Sequence, residues 1–267
     1  MLSNSEQTAK KIRKKILEMA FNSSVAAHLG GSLSIVDILS VLYSTVMNLE
    51  VSNPEDPARD RFILSKGHGA LGLFATLGVV GLMSKDQVDT YMKHGSDLIA
   101  HPIRDLSSGV ESSNGSLGHG LSFAAGKCEA LRYIGSSSKV FTLIGDGECN
   151  EGSIWEAAMY ASSRELNNLV AIVDWNRLQS DGDLVDKATP EDLLSRWKSF
   201  GWHASVINGH DHVQLYDAFN SMHSNKPSVI IAKTIKGYGV TFMANNNNWH
   251  HAVLSELKFR EAIESLI

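Results

Sequence analysis

Residues 140–153 have the sequence VFTLIGDGECNEGS, and this stretch decides the fold of the 267-residue chain. It begins with an apolar run, Val140–Ile144, and continues with an aspartate, Asp146, between two glycines. A helical pattern starts soon afterwards, near Ile154. An apolar run followed by a polar turn and a helix is typical of a βαβ unit. Because ligands bind beyond the carboxyl ends of parallel strands, the stretch predicts a parallel sheet and a ligand site at Asp146.

The rest of the chain extends this unit. Further strands are predicted at Leu169–Asp174, His203–Ile207 and Ser228–Ala232, with helices at Ile154–Ser163, Pro190–Phe200 and His212–His223. The first half is more helical, with helices predicted at roughly Glu6–Phe21, Ser34–Met47, Ala70–Val80 and Leu117–Tyr133, and with a strand near Arg61–Leu64. A long loop between Tyr91 and Ser116 indicates a functional segment, and a closing helix is predicted at Val253–Ile267. We expect an α/β fold, an open and mainly parallel sheet flanked by helices, in a single domain over residues 1–267.

The composition excludes several classes of protein. A hydrophobic share of 43% and a charged share of 20% are those of an ordinary soluble protein. The formal net charge of −5, without a basic stripe, argues against nucleic acid as a partner. The two cysteines, Cys128 and Cys149, are too few for a disulfide framework. The N-terminus has no apolar region of a secretory signal, and the apolar stretch Leu71–Met83 is too short to span a bilayer, so we expect a cytoplasmic protein that does not contact a membrane.

Polar residues end two neighbouring predicted strands, which places Asp146 and Asn176 at the same edge of the sheet. The flanking Gly145 and Gly147 allow a ligand to approach the backbone closely. Carboxylate and amide oxygens suit Mg²⁺, which usually completes its octahedron with water and ligand phosphates. One aspartate plus one amide therefore predicts a metal site that binds a diphosphate. The alternative is that Asp146 caps the next helix and that Asn176 makes a turn.

Two segments, GDGECNEGSIWEA and VDWNRLQSDG, resemble the thiamine diphosphate motif, in which an asparagine follows GDG by some thirty residues. More narrowly, the chain resembles the N-terminal half of a transketolase. The resemblance runs nearly from end to end, through AAHLGGSLS (26–34), RFILSKGHGA (61–70), HP (101–102), ESSNGSLGHGLSFAAG (111–126), KTIKGYGVTFM (233–243) and WHH (249–251). Because these segments are separate and occur in the right order, the resemblance is highly specific.

This resemblance implies thiamine diphosphate and Mg²⁺ as cofactors. The implied Mg²⁺ ligands are Asp146, Asn176 and the main-chain carbonyl of Leu178. The implied cofactor contacts come from Gly145 and Gly147 at the diphosphate and from Gly115 and Leu117 beside the aminopyrimidine ring. Glu151 and Glu156 match two acids that, in the family, lie at the dimer interface and link the paired active sites through bridging waters. Glu148 matches no such role, and we expect it in a solvated turn.

The resemblance assigns roles to four of the eleven histidines. The resemblance implies that His68 and His250 contact the diphosphate or the reaction centre, and that His28 and His101 hold the carbonyl and the C1 hydroxyl of the donor sugar. Histidine suits such work because it exchanges protons near neutral pH. His119 stands where relatives often have glutamine and is assigned no catalytic role. The remaining histidines are interpreted as surface or structural residues: His94, His203, His210, His212, His223 and His251.

The implied activity is the transfer of a two-carbon ketol unit from a ketose to an aldose, with sugars or sugar phosphates as substrates. In the family, the acid that protonates the aminopyrimidine lies in a later domain, which the residues after His251 cannot supply. The chain is therefore a fragment or one subunit of a split enzyme, and its Met1 start and closing helix favour the subunit. We expect a companion C-terminal subunit that carries the pyrimidine-binding domain, in an α₂β₂ assembly. The alternatives are a subunit of another thiamine diphosphate enzyme, such as 1-deoxyxylulose-5-phosphate synthase or a 2-oxo acid dehydrogenase, and a non-catalytic scaffold.

Overall fold

The computed structural model describes residues 2–180, 182–183 and 188–266. Its strands are β1 Arg61–Leu64, β2 Val140–Gly145, β3 Leu169–Trp175, β4 Leu178–Gln179, β5 Gly182–Asp183, β6 His203–Asn208 and β7 Ser228–Lys233. Five of them form a parallel sheet in the order β1-β2-β3-β7-β6, and β4 pairs with β5 in a separate antiparallel ribbon. The prediction of an open, parallel sheet is confirmed.

The central strands are continuous apolar runs because helices cover both faces of the sheet. Every residue of β2 is buried. Phe141 and Leu143 pack into one layer of the core, whereas Val140 and Ile144 pack into the other. The register pairs Gly145 of β2 with Asp174 of β3, so the polar ends of the two strands lie side by side.

Helices form the two outer layers. They are α1 Leu2–Ser23, α2 Leu29–Leu33, α3 Val36–Val41, α4 Ala70–Val80, α5 Lys85–Val88, α6 Gly120–Tyr133, α7 Gly152–Ser163, α8 Pro190–Ser199, α9 His212–Asn220 and α10 Glu256–Glu264. Buried residues of α1, α3, α4 and α9 belong to one core layer, and those of α6, α7 and α8 belong to the other. The carboxyl edge of the sheet is left for the loops.

Several predicted helix bounds were wrong. The helix expected at Ser34–Met47 is divided into α2, α3 and a π-helical turn at Leu42–Val46. Helix α6 begins three residues later than expected, because Gly118 adopts a left-handed conformation with φ of +85° that ends the preceding loop. The closing helix is shorter, starting at Glu256 after the cap Ser255, and the predicted end at Ile267 lies outside the described residues.

The long loop after Tyr91 contains a 3₁₀ turn at Leu106–Ser108 and a bridge between Asp105 and Val110. Its end is anchored by Glu111, whose buried carboxylate forms ion pairs with Arg59, Arg61 and Lys127. A charged residue is seldom buried without such partners. The anchor fixes the part of the loop that leads into α6.

One helical stretch among the described residues, 29–46, is apolar and long enough to cross a bilayer. Of this stretch, 78% is buried inside the protein, as in a core helix.

Candidate active site

The carboxyl edge of the sheet opens into a cavity of about 510 Å³. The turns after β1, β2, β3 and β7 each contribute to its lining, represented by Lys66, Gly147, Asn176 and Lys236. This is where a parallel sheet is expected to bind its ligand.

Asp146 lies at the base of this cavity and is only 5% exposed. Its Oδ2 accepts the N–H groups of Asn176 at 2.9 Å and of Arg177 at 2.6 Å, and its Oδ1 accepts the N–H of Gly147 at 2.7 Å. The alternative that Asp146 acts as a cap is therefore correct in part, since its carboxylate accepts N–H groups in the turn after β2 and in the turn after β3. Burial, and secondly the charge of Asp174, raise the pKa of Asp146 to about 6. A cation bound here would relieve both effects.

Asp174 is fully buried beneath the site and orients one of the predicted ligands. It accepts hydrogen bonds from Asn176 Nδ2 at 3.0 Å, from Lys66 Nζ at 2.6 Å, from Ser34 Oγ at 2.7 Å and from Thr234 Oγ1. Although burial opposes ionisation, the Lys66 ammonium holds the pKa of Asp174 below its usual value. Because the amide nitrogen of Asn176 faces Asp174, its Oδ1 is the atom that could bind a cation, and this oxygen also accepts the N–H of Leu178 at 3.1 Å, as expected for a turn.

The carbonyl of Leu178, the third implied metal ligand, already accepts a hydrogen bond from a cationic group. Lys236 Nζ donates to it at 3.2 Å, to the carbonyl of Gln179 at 3.1 Å and to Asn247 Oδ1 at 2.8 Å. Burial, and secondly Lys66, lower the pKa of Lys236 to about 8. Two buried ammonium groups beside the cavity suit a polyanion such as a diphosphate.

The oxygen donors fit Mg²⁺, since carboxylate, amide and carbonyl oxygens are all hard ligands. The described part of the chain contains no group of three or more His, Cys, Asp or Glu residues arranged to hold a metal. A cation at Asp146 would therefore depend on the mixed set of donors, completed by oxygen atoms of water and of the bound ligand.

Four histidine rings gather around His28. The distances from its ring centroid are 5.8 Å to His68, 6.0 Å to His101, 5.4 Å to His250 and 4.5 Å to His251. His28, His68 and His250 line the cavity. His251, interpreted from the sequence as a surface or structural residue, is exposed, and the fold places its ring beside that of His28.

Two backbone hydrogen bonds hold this cluster together. Ala27 and Ala252 exchange N–H···O bonds of 3.0 and 3.1 Å, which fix the late segment with His250 against the early segment with His28. Burial, and then His251 and the other nearby histidines, lower the pKa of His28 to about 4. A neutral imidazole at pH 7 can donate through one nitrogen and accept through the other.

His68 is also neutral. Burial, and secondly the ammonium of Lys66, lower the pKa of its imidazole to about 2. The imidazoles of His28 and His68 are therefore present near the cavity without adding positive charge, which comes from the two lysines instead.

The structure brings most of the predicted site residues together. Those that line the cavity are His28, His68, Gly115, Leu117, Gly145, Asp146, Gly147, Glu151, Asn176, Leu178 and His250. Two do not line it. His101 packs beside it, close to Gly67 and Gly115, and Glu156 is exposed on α7.

Sequence reasoning missed several residues of the cavity, namely Gly31, Lys66, Glu148, Asn150, Gln179, Ser180 and Lys236. Lys66 and Lys236 both lie within matched segments, SKGHGA and KTIKGYG, which was a usable signal. The expectation that Glu148 lies in a solvated turn was wrong, because Glu148 is only 2% exposed. Its neighbours in sequence are polar, whereas the groups that cover it come from distant segments.

Oxygen donors that could hold a cation, beside two buried lysines at the carboxyl edge of a parallel α/β sheet, are typical of a protein that binds a phosphorylated cofactor. Histidines set around such a site add groups for chemistry on a polar substrate. The family model described as the thiamine diphosphate binding domain of transketolase matches residues 5–266. The chain belongs to this family, and the resemblance seen in the sequence is confirmed.

Relatives of two lengths are similar to the chain. It is 40% identical to an apulose-4-phosphate transketolase subunit of Actinobacillus succinogenes, over 98% of the chain and 95% of that protein. It is 38% identical to the 6-deoxy-6-sulfo-D-fructose transketolase subunit SqwG of Clostridium sp., over 98% of the chain and 95% of that protein. Human transketolase is 34% identical over 98% of the chain, but the match spans only 42% of the human protein.

Solved structures agree with this division. The transketolase of Leishmania mexicana has a TM-score of 0.89 and 25% identity, covering 97% of the chain and 40% of that protein. The transketolase of Campylobacter jejuni has a TM-score of 0.84 and 28% identity, covering 98% and 42% respectively. The chain therefore corresponds in fold to less than half of these enzymes.

Proposed function

We propose that this chain is the diphosphate-binding subunit of a split transketolase, which transfers a two-carbon ketol unit from a ketose to an aldose with thiamine diphosphate and Mg²⁺. The observation that carries the proposal is the joint placement of Asp146 and Asn176 in the lining of a cavity that His28, His68 and His250 also line. An oxygen-donor cation site explains how a diphosphate is held, and the imidazoles provide neutral groups for a substrate rich in hydroxyls.

Different residues of the cavity would bind different parts of the cofactor. The side chains of Asp146 and Asn176 and the carbonyl of Leu178 would hold Mg²⁺, while Lys66 and Lys236 offset the charge of the diphosphate. Gly145 and Gly147 let the backbone approach the phosphate oxygens. Bound thiamine diphosphate supplies a nucleophilic carbon and an electron sink, which no side chain can provide.

The chain itself would position the sugar and move protons. His28 and His101 lie 6.0 Å apart between ring centroids, a spacing that lets both donate hydrogen bonds to adjacent oxygens of one donor sugar. His68 and His250, 5.7 Å apart between ring centroids, line the cavity and would serve the reaction centre. Because His28 is neutral at pH 7, one ring nitrogen can donate a hydrogen bond to a developing alkoxide, or the other can accept a proton from a hydroxyl.

Exposed apolar residues near these histidines support a companion subunit. Val25, Ile99, Ile103 and Val253 are each between 40% and 56% exposed, and each lies within three residues of a clustered histidine. Exposed apolar surface beside a site marks an interaction region. A companion that carries the pyrimidine-binding domain would cover it, and the names of two relatives, which describe each of them as one subunit of a transketolase, support this expectation.

The assembly would contain two copies of each chain, with the paired sites facing one another. Glu151 and Glu156 are exposed beside the cavity and on α7, where they are free to reach a second copy. A two-fold axis would bring the same pair from both copies to one interface.

The decisive experiment is an assay of the purified chain with and without its companion subunit, with Mg²⁺, thiamine diphosphate, ketose donors and aldose acceptors. The donors should include phosphorylated ketoses and 6-deoxy-6-sulfo-D-fructose, and the acceptor products should be identified by mass spectrometry. We expect ketol transfer only with both chains present. Full turnover by the isolated chain would contradict the split enzyme, decarboxylation of pyruvate would favour a 2-oxo acid enzyme, and absence of cofactor binding by the complex would favour a scaffold.

A further inference from the structure

We propose that Glu148 is a positioning residue of this cavity, whose buried carboxylate ties three loops together and so sets the shape of the cofactor site. The inference rests on the proposed function, because it assigns the cavity to thiamine diphosphate. Nothing in the transfer chemistry requires Glu148 to touch the substrate.

The carboxylate of Glu148 accepts three hydrogen bonds from three segments. Glu148 Oε1 accepts the N–H of Gly118 at 2.8 Å and the hydroxyl of Ser65, and Oε2 accepts the N–H of Gly145 at 3.0 Å. Ser65 belongs to the turn after β1, Gly118 to the loop before α6, and Gly145 to the end of β2. One side chain therefore joins three segments that are far apart in sequence.

A second set of contacts makes the arrangement rigid. Ser65 Oγ accepts the N–H of Gly120 at 3.1 Å, and Ser153 Oγ donates to the carbonyl of Gly118 at 3.0 Å. A Cβ atom on Gly118 would collide with Ser153 Oγ and lie 2.8 Å from the Cβ atom of Glu151, in a conformation with φ of +85°. Gly118 is thus held by Glu148 through its N–H and by Ser153 through its carbonyl, and the two contacts together fix the conformation of the loop.

A carboxylate has the right chemistry for this position. It accepts as many as four hydrogen bonds and offers no donor, so three neutral donors can converge on it. A glutamine of the same shape would direct an N–H group at one of these donors. Glu148 is buried among N–H and O–H donors. Burial raises its pKa above the usual value, and the hydrogen bonds from Ser65, Gly118 and Gly145 oppose that rise.

The tie lies between two walls of the cavity. Leu117 and Gly115 line one side, immediately before Gly118, and Gly145 and Gly147 line another. Glu148 fixes the distance between these walls. Loss of the Glu148 hydrogen bonds should make both walls more mobile even in the absence of a ligand. It should therefore weaken the binding of any cofactor that contacts both walls.

The test compares Glu148→Gln with Asp60→Asn in the full chain. Asp60 is a matched control because it is also buried and accepts backbone N–H groups from two segments, Asn48 at 2.8 Å and Lys139 at 2.7 Å, away from the cavity. Amide hydrogen exchange in the peptides containing Gly118 and Gly145 should become faster in Glu148→Gln and stay unchanged in Asp60→Asn.

Cofactor affinity is the second readout, measured by calorimetry with thiamine diphosphate and Mg²⁺, on the chain and on its complex with the companion. We expect Kd to rise by about 10-fold or more in Glu148→Gln, the size typical of a residue that orients ligands. In Asp60→Asn, Kd should stay unchanged even where Tm falls equally. Ser65→Ala, which removes one of three donors, should lie between the wild type and Glu148→Gln.

Unchanged exchange or unchanged Kd in Glu148→Gln would overturn the inference. If that variant does not fold, Ser65→Ala decides by the same two measurements. If the wild-type complex does not bind thiamine diphosphate at all, the proposed function fails and the cofactor part of the inference fails with it, while hydrogen exchange still decides whether Glu148 ties the loops.

Discussion

The carboxylate of Asp146 accepts a hydrogen bond of 2.9 Å from the backbone amide of Asn176, thirty residues further along the chain. The bond exists because the register of β2 and β3 places their carboxyl ends side by side. Its effect is that the fold itself holds the two proposed metal ligands together. Such preorganisation lowers the cost of ordering the site when the cofactor enters.

Replacing Asp146 by Ala should nearly abolish the binding of Mg²⁺ and thiamine diphosphate, because it removes the charged protein ligand and the cap of two turns. The loss of affinity should be at least the ~10–100-fold that accompanies the removal of an orienting residue. Calorimetry with both ligands measures it, and Asp217→Ala, on the exposed face of α9, is the control. An unchanged affinity would remove Asp146 from the metal site.

Replacing Asp174 by Asn should damage the site although Asp174 does not line the cavity. The change leaves the Lys66 ammonium without its charged partner, and breaking a buried pair costs about 3–5 kcal/mol of unfolding free energy. Urea unfolding measures this cost. The double variant Lys66→Met with Asp174→Asn should recover part of the stability, and a strictly additive cycle would show that the pair is not coupled.

Stability without cofactor should fall as the pH is lowered, in part through His28. The pKa of His28 is about 4 in the fold and 6.5 as a reference for the unfolded chain, so the unfolded state binds more protons between these values. Its contribution to stability is complete above about pH 6.5 and is lost as pH falls towards about 4.

The measurement is urea unfolding at about pH 5 and about pH 7. His28→Gln should flatten the loss of stability, because its side chain does not titrate, whereas His203→Gln at an exposed position should not. An equal loss in His28→Gln and in the wild type would contradict the neutral state of His28 in the fold.

Replacing His101 by Ala should weaken the transition-state binding of the donor sugar by roughly 1.5–3 kcal/mol, if it removes a hydrogen bond to a charged or polarised oxygen. The affinity for thiamine diphosphate should barely change, since His101 packs beside the cavity and does not line it. Donor kinetics of the two-chain complex give the first quantity and calorimetry gives the second. His94→Ala, exposed in the same loop, is the control. Loss of cofactor affinity with unchanged donor kinetics would exclude this role.

The sequence by itself determined the sheet and the base of the site. Apolar runs such as Val140–Ile144 are local patterns that bury on both faces of a parallel sheet, and the polar residues that end them must lie at its carboxyl edge. Asp146 and Asn176 could therefore be placed together from one chain, because strand register carries each residue to a known position. The matched segments identified the family, and the family resemblance then indicated His28, His68, His101 and His250 as site residues.

Only the tertiary structure decided the surroundings of individual side chains. Glu148 has polar neighbours in sequence, yet it is covered by Ser65 and Gly118, which are 83 and 30 residues away. His251 lies beside His28 because backbone hydrogen bonds between Ala27 and Ala252 join an early and a late segment of the chain. Burial and hydrogen bonding of this kind depend on which distant segments meet, and local periodicity contains no information about such contacts.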